Sequence, residues 1–430
     1  MAKSALQVLI VGGGIGGLAA AIAICRAGHS VTVLESAEKI EEIGAGLQFS
    51  ANATRILLEW GIDKSILDDV VEPTSCIMRR YEDGRQLARL ELGAHHVKLY
   101  RAPFWDIHRH DLIMALHRRS LELGADIRVN SKVVDIDFES AVVTLQNGQK
   151  LSGDLIVGAD GLNSVTRKKF VPTDAPELTG DIAFRVLVDV AQLGPDEEDL
   201  KRLAQSPQVT YWLGPFGHAI VYILKGGKQI NLVAIAPDDL PAGVVRAPLS
   251  KEETLKKFDG WDPVLRRIIA CCEGEVVWRW KLHMRSELSK WNHRSGKFTL
   301  LGDAVHPSLP YLSQGAGMAL EDAAVLGHVL TEKIPLTTAL AKYEALRRPR
   351  STRVVRAAKG QQYWYHLPDG EEQQRRDAMI GAEESCEGDP FLWREPVFSP
   401  WLYGYDAYKE ARATGAGVEN GLTNGHAKTG

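Results

Sequence analysis

Apolar positions along this chain follow two rhythms. The first is a continuous run, Val8-Leu9-Ile10-Val11, then Gly12-Gly13-Gly14-Ile15-Gly16-Gly17, then an Ala/Leu/Ile-rich stretch over residues 18–27. An unbroken run rich in Val and Ile predicts a buried parallel strand. The stretch after the glycines predicts a helix, which Gly28 ends. Val31-Thr32-Val33-Leu34 predicts a second strand that closes on Glu35. The strand-then-acid pattern returns at Leu155-Ile156-Val157-Gly158-Ala159-Asp160-Gly161 and at Phe298-Thr299-Leu300-Leu301-Gly302-Asp303. A loop with Pro307, Pro310, Gly315 and Gly317 leads to a predicted helix over about 318–330. Another helix starts at Leu336 and is expected to break near Pro349.

The second rhythm is a series of short strands separated by turn signals. Residues 184–188, 209–213, 218–224 and 229–236 predict an antiparallel sheet, packed by one helix over 251–270. Residues 76–92 predict two strands around Glu82-Asp83-Gly84, which join that second layer. A helix over 53–60 takes Asn52 as its N-cap, and another reaches about Leu123 with Asp111 near its start. Aromatics at 391–393 and 401–405 are expected to pack onto the body. Residues 411–430, rich in Gly, Asn and Thr, read as a disordered tail.

Composition narrows the picture. The chain has 430 residues, 45% of them hydrophobic and 25% charged, which is enough apolar material for two or three domains. A net charge of −4 gives no basic field for nucleic acid. Glycines interrupt the apolar run over 6–24, so no stable membrane insertion and no secretory signal are expected. The cysteines Cys25, Cys76, Cys271, Cys272 and Cys386 are odd in number, and two are adjacent. They read as reduced thiols of a cytoplasmic protein. No H-E-x-x-H, C-x-x-C or P-loop pattern appears, so no metal or ATP chemistry is expected.

The chemistry starts at the first turn. Gly12, Gly14 and Gly17 fit G-x-G-x-x-G. Gly12 permits the tight turn, Gly14 lets backbone approach a pyrophosphate, and Gly17 lets the helix pack against the strand. The helix N-terminus offers N–H groups and partial positive charge to phosphates. Glu35 can accept hydrogen bonds from a ribose diol. The motif alone does not separate NAD from FAD. Arg347, Arg348, Arg350, Arg353 and Arg356 form a basic cluster that reads as a solvated, salt-bridged helix face, with phosphate binding as the alternative.

Three separated segments, Gly12 through Gly17, Gly158-Ala159-Asp160-Gly161 and Gly302-Asp303, together resemble the fingerprints of the class A flavin-dependent aromatic hydroxylases, in particular the salicylate-hydroxylase-like branch. The resemblance spans about residues 5–360. It implies an α/β fold, with a Rossmann-type FAD-binding domain interleaved with an antiparallel-sheet substrate domain and a helical C-terminal part. The expected FAD-binding domain is discontinuous, over 1–75, 100–179 and 285–365. The substrate domain takes 76–99 and 180–284, a C-terminal extension 366–410, and the tail 411–430.

The resemblance also implies roles. Glu35 would hold the adenosine ribose, with Ala45 and Gly46 in a second glycine-rich loop. Arg109 would bond FAD phosphate or ribityl oxygens. Asp160 would brace the turn beside the pyrophosphate, and Asp303 would accept a ribityl hydroxyl. Gly315, Ala316 and Gly317 would aim backbone N–H groups at the flavin edge that becomes negative on reduction. The implied activity is a monooxygenase that takes electrons from NADH or NADPH. It hydroxylates a small phenolic or other electron-rich aromatic with O2 through a C4a-hydroperoxyflavin, in aromatic catabolism or secondary metabolism.

His218 and Tyr222 lie four apart on a predicted strand and share a face. Their His-x3-Tyr spacing resembles a pair in the related hydroxynicotinate hydroxylases, where Gln48 replaces a second histidine. That likeness makes His218 a candidate base with an ordinary value near ~6.5, assisted by Tyr222. Arg185 is a candidate for an anionic substrate. Trp278-Arg279-Trp280 resembles part of the W-x-W-x-I-P element of flavin halogenases, but Leu282-His283 replaces Ile-Pro, so both indoles read as core. A non-oxygenating FAD oxidoreductase or halogenase, and a flavin-binding protein without activity, are the alternative functions.

Overall fold

Five short strands form an all-parallel sheet in the order Phe298–Leu300, Leu155–Gly158, Gln7–Val11, Ser30–Leu34 and Asp126–Arg128. The computed structural model describes residues 5–40, 46–63, 67 and 69–419. All three strand-then-acid segments lie in this sheet, with Gln7–Val11 between the one that closes on Glu35 and the other two. Their acids therefore emerge at one carboxyl edge, where open α/β sheets take ligands. Helix Ile15–Arg26 covers the sheet, and helix Gly315–Thr331 lies against it. Small residues allow the two helices to approach closely: a Cβ at Gly327 would stand 2.7 Å from Ala23 Cβ.

The second sheet has eight strands in the order Arg246–Ser250, Val276–Met284, Glu177–Asp189, Gln229–Pro237, Gly217–Leu224, Gln208–Gly214, Ser75–Arg80 and Gln86–Glu91. Its pairs are antiparallel except Gln208–Gly214 with Ser75–Arg80, which run parallel. Strand alternation separates two faces. Phe184, Trp212, Ala219, Val221 and Leu232 share one core with Leu200, Leu265 and Ile268 of the covering helices. Ala183, Tyr211, Ile220, Tyr222 and Ile235 share another with Leu309, Tyr311, Leu312 and Met318. The second face therefore packs onto the loop that opens helix Gly315–Thr331.

Local signals were overridden at several points. The expected helix over 251–270 is two helices, Lys251–Lys257 and Pro263–Ala270. Gly260 has φ +76° in the break. Asp262 caps the second helix by accepting from Val264 N–H at 2.9 Å, while its other oxygen accepts from Trp212 Nε1 at 2.7 Å. Ser50, not Asn52, precedes the helix Ala51–Glu59. Asn52 is free of capping because it is buried, donating to Gln314 Oε1 at 3.0 Å and Glu321 Oε1 at 2.7 Å. Trp278 is 43% exposed rather than core, and Arg246 stacks on it at 4.1 Å.

Helix Leu336–Tyr365 does not break at Pro349 but runs through it. The proline removes one backbone bond. On either side of it, Arg347 and Arg350 are buried in ion pairs to Glu321 and Asp322, which hold the helix in register. Those two arginines are therefore not a solvated face. Phe391, Trp393 and Tyr403 of the C-terminal segment are buried in the core of the second sheet's inner face, as the aromatic pattern implies. Helix Ala407–Glu419 enters the stretch read as a disordered tail, and Ala411 is fully buried. Residues 420–430 lie outside the described residues. Among the described residues, no helix is long and apolar enough to cross a membrane.

Candidate active site

The glycine turn is built by close contacts. Gly12 has φ +104°, and a Cβ there would stand 2.6 Å from Ala159 O and 2.9 Å from Asp160 Cα. A Cβ on Gly17 would fall 1.9 Å from Gly12 O. A Cβ on Gly14 would meet nothing within 4 Å, so this glycine borders open space at the head of helix Ile15–Arg26. Glu35 faces the same turn. Its Oε2 accepts from Gly13 N–H at 2.7 Å, and its Oε1 accepts from Ala37 N–H at 2.8 Å and Ser36 Oγ at 3.0 Å. One lone pair on Oε2 stays available for a hydroxyl. Asp160 is spent on its own loop, accepting from Thr166 N–H at 2.9 Å and from the Ser164 and Thr166 hydroxyls at 2.6 Å.

Asp303 and Arg109 are the two other candidates. Asp303 is exposed on a turn where Gly302 has φ +62°, and a Cβ on Gly315 would lie 3.9 Å from its Oδ1. Helix Gly315–Thr331 thus begins beside Asp303, with no side chain capping its first turn. Arg109 is the half-buried first residue of helix Arg109–Glu122. It directly follows His108, the register partner of Gly46. Ala45 lies outside the described residues.

A buried polar network supports the Gly302 and Gly315 turns. Asp322 Oδ2 accepts from Gly302 N–H at 3.0 Å and pairs with His306 Nε2 at 2.6 Å. Arg347 Nε donates to Asp322 Oδ1 at 2.7 Å, and its other nitrogen pairs with Glu321 at 2.7 Å. Gln314, the residue before the helix, donates to Ser50 Oγ at 3.0 Å. Gln48 is part of this scaffold: it accepts from Ser313 Oγ at 3.0 Å and donates to Asp106 Oδ1 at 2.9 Å. Burial pushes the Asp106 carboxyl well up, and its Oδ2 has no hydrogen-bond partner among the described residues. Sequence reasoning cast Arg347 as part of a solvated face and Gln48 as a replaced histidine, and did not single out Glu321, Asp322, Gln314 or Asp106. One signal was present: the acid pair Glu321-Asp322 sits in an otherwise apolar helix and demands buried cations.

The inner face of the eight-stranded sheet carries His218, Tyr222 and Arg185. His218 is opposite Ile235, Tyr222 opposite Asn231, and Arg185 opposite Val233, which in turn faces Ile220. Tyr222 touches strand Gly46–Phe49: a Cβ on Gly46 would stand 2.2 Å from its ring, and Gly46 N–H donates to Asn231 Oδ1 at 3.2 Å. Arg185 stacks on Trp280 at 4.9 Å. His218 and Tyr222 do not meet, since four residues of strand span about 13 Å. His218 sits instead among Tyr211, Tyr311, Tyr365 and His366. Burial first, and then His366, push its pKa well below the ordinary 6.5. The expectation of an unperturbed histidine is therefore corrected. Burial, with Asp106 adding to it, pushes Tyr222 up, so this phenol stays protonated.

Comparison with known proteins identifies the scaffold. The family described as FAD binding domain matches residues 5–358. The chain belongs to this family of FAD-dependent monooxygenases. It is 40% identical over 413 residues to the FAD-dependent monooxygenase OpS4 of Beauveria bassiana (strain ARSEF 2860), covering 94% of this chain and 96% of that one. It is 33% identical over 408 residues to a 3-hydroxybenzoate 6-hydroxylase of Polaromonas naphthalenivorans (strain CJ2), covering 93% and 96%. Among solved structures, a salicylate hydroxylase substrate complex shares the fold at 24% identity, with a TM-score of 0.76 over 96% of this chain and 98% of that one. The cofactor of this family is FAD, and the cradle fits it: open space at Gly14, an uncapped helix, the Glu35 carboxylate against the glycine turn and an exposed Asp303.

Proposed function

We propose that this enzyme takes electrons from NADH or NADPH and uses O2 to hydroxylate a small phenolic or other electron-rich aromatic. The observation that carries this reading is the packing of one sheet face, bearing His218, Tyr222 and Arg185, onto the loop that opens helix Gly315–Thr331. FAD, when bound, supplies the electron transfer and the activation of O2. Gly12, Gly14 and Gly17 hold its pyrophosphate, Glu35 its ribose and Arg109 its phosphate or ribityl oxygens. Asp303 accepts a ribityl hydroxyl, and Gly315, Ala316 and Gly317 turn N–H groups to the ring. Asp160 acts by bracing the loop against Gly12, and Gly46 is a further residue of the cofactor cradle. Arg185 binds an anionic substrate group. His218 accepts a hydrogen bond from the ring hydroxyl and draws off its proton.

A panel of hydroxybenzoates and larger phenols, with NADH and with NADPH, tests this reading. A product heavier by one oxygen, labelled when labelled O2 is used, supports it. Reduced-nicotinamide consumption with no oxygenated product across the panel favours a non-oxygenating oxidoreductase, and no consumption at all favours a binding protein.

Two glycine variants separate the cradle from the fold. Gly17→Ala is expected to lower the melting temperature of the FAD-free protein, because overpacking costs about 1–3 kcal/mol and the new Cβ meets Gly12 O. Gly14→Ala is expected to leave that temperature unchanged, since its Cβ enters open space, yet to weaken FAD binding at least about tenfold, or 1.4 kcal/mol. Unchanged FAD affinity in Gly14→Ala would place the pyrophosphate elsewhere.

A further inference from the structure

His218 does not stand alone on its strand. Its Nδ1 lies 2.8 Å from His366 Nε2. His366 is the residue that ends helix Leu336–Tyr365, far away in the sequence. Its backbone carbonyl accepts from Phe216 N–H at 3.0 Å, at the turn of the hairpin that carries His218. Backbone and side chain thus tie the same helix end to the same hairpin. Beyond it, His366 Nδ1 lies 3.7 Å from Asp181 Oδ2. That oxygen also accepts from Gln362 Nε2 at 2.7 Å and from the Tyr311 hydroxyl. Tyr311 belongs to the loop that opens helix Gly315–Thr331, and it packs edge-on against His218 at 5.1 Å.

The proton positions follow from this chain of groups. Two neutral imidazoles joined nitrogen to nitrogen share one proton, so one ring donates and the other accepts. A carboxylate oxygen facing His366 Nδ1 favours the proton on that nitrogen. His366 Nε2 then carries the lone pair and accepts from His218 Nδ1–H. His218 Nε2 is left with its lone pair. Among the described residues, no other hydrogen bond engages the His218 ring.

We infer that His366 and Asp181 are positioning residues: they fix His218 in the Nδ1–H form, with Nε2 presented as the acceptor for the substrate hydroxyl. This rests on the proposed role of His218. When a hydroxyl proton arrives at Nε2, the His218 Nδ1 proton is already directed at His366, so the cation is shared with a hydrogen-bonded partner.

The test has a spectroscopic arm and a kinetic arm, both on the FAD-loaded full chain. Imidazole nitrogen NMR of histidine-labelled protein, with His218 assigned by its loss in His218→Gln, should show a protonated Nδ1 and a bare Nε2. A proton on Nε2 in the wild type overturns the inference without reference to activity. His366→Leu removes the acceptor and should lower product formed per nicotinamide oxidised by roughly tenfold or more, as wrong-tautomer histidines do, with flavin reduction unchanged. His366→Gln, whose amide oxygen can accept from Nδ1–H, should recover most of that coupling. If His366→Leu keeps full coupling while His218→Ala loses it, the positioning role fails and His218 stands. If His218→Ala also keeps coupling, the proposed role of His218 fails.

Discussion

Arg347→Leu is expected to destabilise the protein by about 3–5 kcal/mol, the usual cost of breaking a buried ion pair from one side. Arg347, Glu321 and Asp322 are all fully buried. Glu321 would keep Arg350, at 2.7 and 2.8 Å, and Asn52. Asp322 would keep His306 and the Gly302 N–H, but its Oδ1 would lose its arginine. Burial drives the Asp322 carboxyl up, and His306 and Arg347 together overcome that push and hold it below the ordinary 3.8. A carboxylate with a depressed folded-state pKa stabilises the fold above the unfolded value and loses that contribution as pH falls through the folded one. The deficit of the variant should therefore be full above pH 3.8 and shrink in more acidic solution.

Urea midpoints of Arg347→Leu, Asp322→Asn and the double variant check this. Neutralising the stranded acid should restore part of the loss, so the double variant should be more stable than the sum of the singles predicts. A loss under about 1 kcal/mol for Arg347→Leu would mean the cluster behaves like an exposed ion pair. Because Asp322 also accepts from Gly302 N–H, a weakened cluster should loosen the turn that carries Asp303.

What the sequence made legible, and what it hid, divides along the range of the interaction. The turn over 12–17 was readable because each glycine answers a local demand: φ at Gly12, open space at Gly14, close packing at Gly17. The three acid-ended strands were readable because continuous apolar runs mark buried parallel strands. Arg347 and Arg350 were misread because an arginine shows its charge in the sequence but not its partner. Their acids lie on another helix, and burial is a tertiary fact. Pro349 was misread for the same reason, since the pairs flanking it outweigh one lost backbone bond. His366 carried no signal, because the helix end meets the hairpin only in the fold. His218 and Tyr222 were correctly placed on one face, yet the distance along the strand gives them different neighbours.

His218→Ala is expected to cut the hydroxylation rate by roughly 10²-fold, the low end of what a positioned base contributes. The low end applies because the ring is a weaker base than an exposed histidine: burial, then His366, hold its pKa well below 6.5. Reduction of the flavin by NADH or NADPH should persist, since the ring lies on the eight-stranded sheet among Tyr211, Tyr311 and Tyr365. Reducing equivalents should then leave as hydrogen peroxide instead of product. His218→Gln should not restore the rate, because an amide does not take up a proton. The depressed pKa also sets a pH signature. An ordinary histidine would gain a proton and lose its lone pair as pH falls through 6.5, and coupling would fall with it. A buried, neutral His218 keeps its lone pair there, so product per nicotinamide should hold steady from pH 8 to 6. Rapid-mixing kinetics with product and peroxide counted at each pH separate the steps. A coupling loss centred near 6.5 would show that the ring titrates as if exposed, and full coupling in His218→Ala would move the base to another residue.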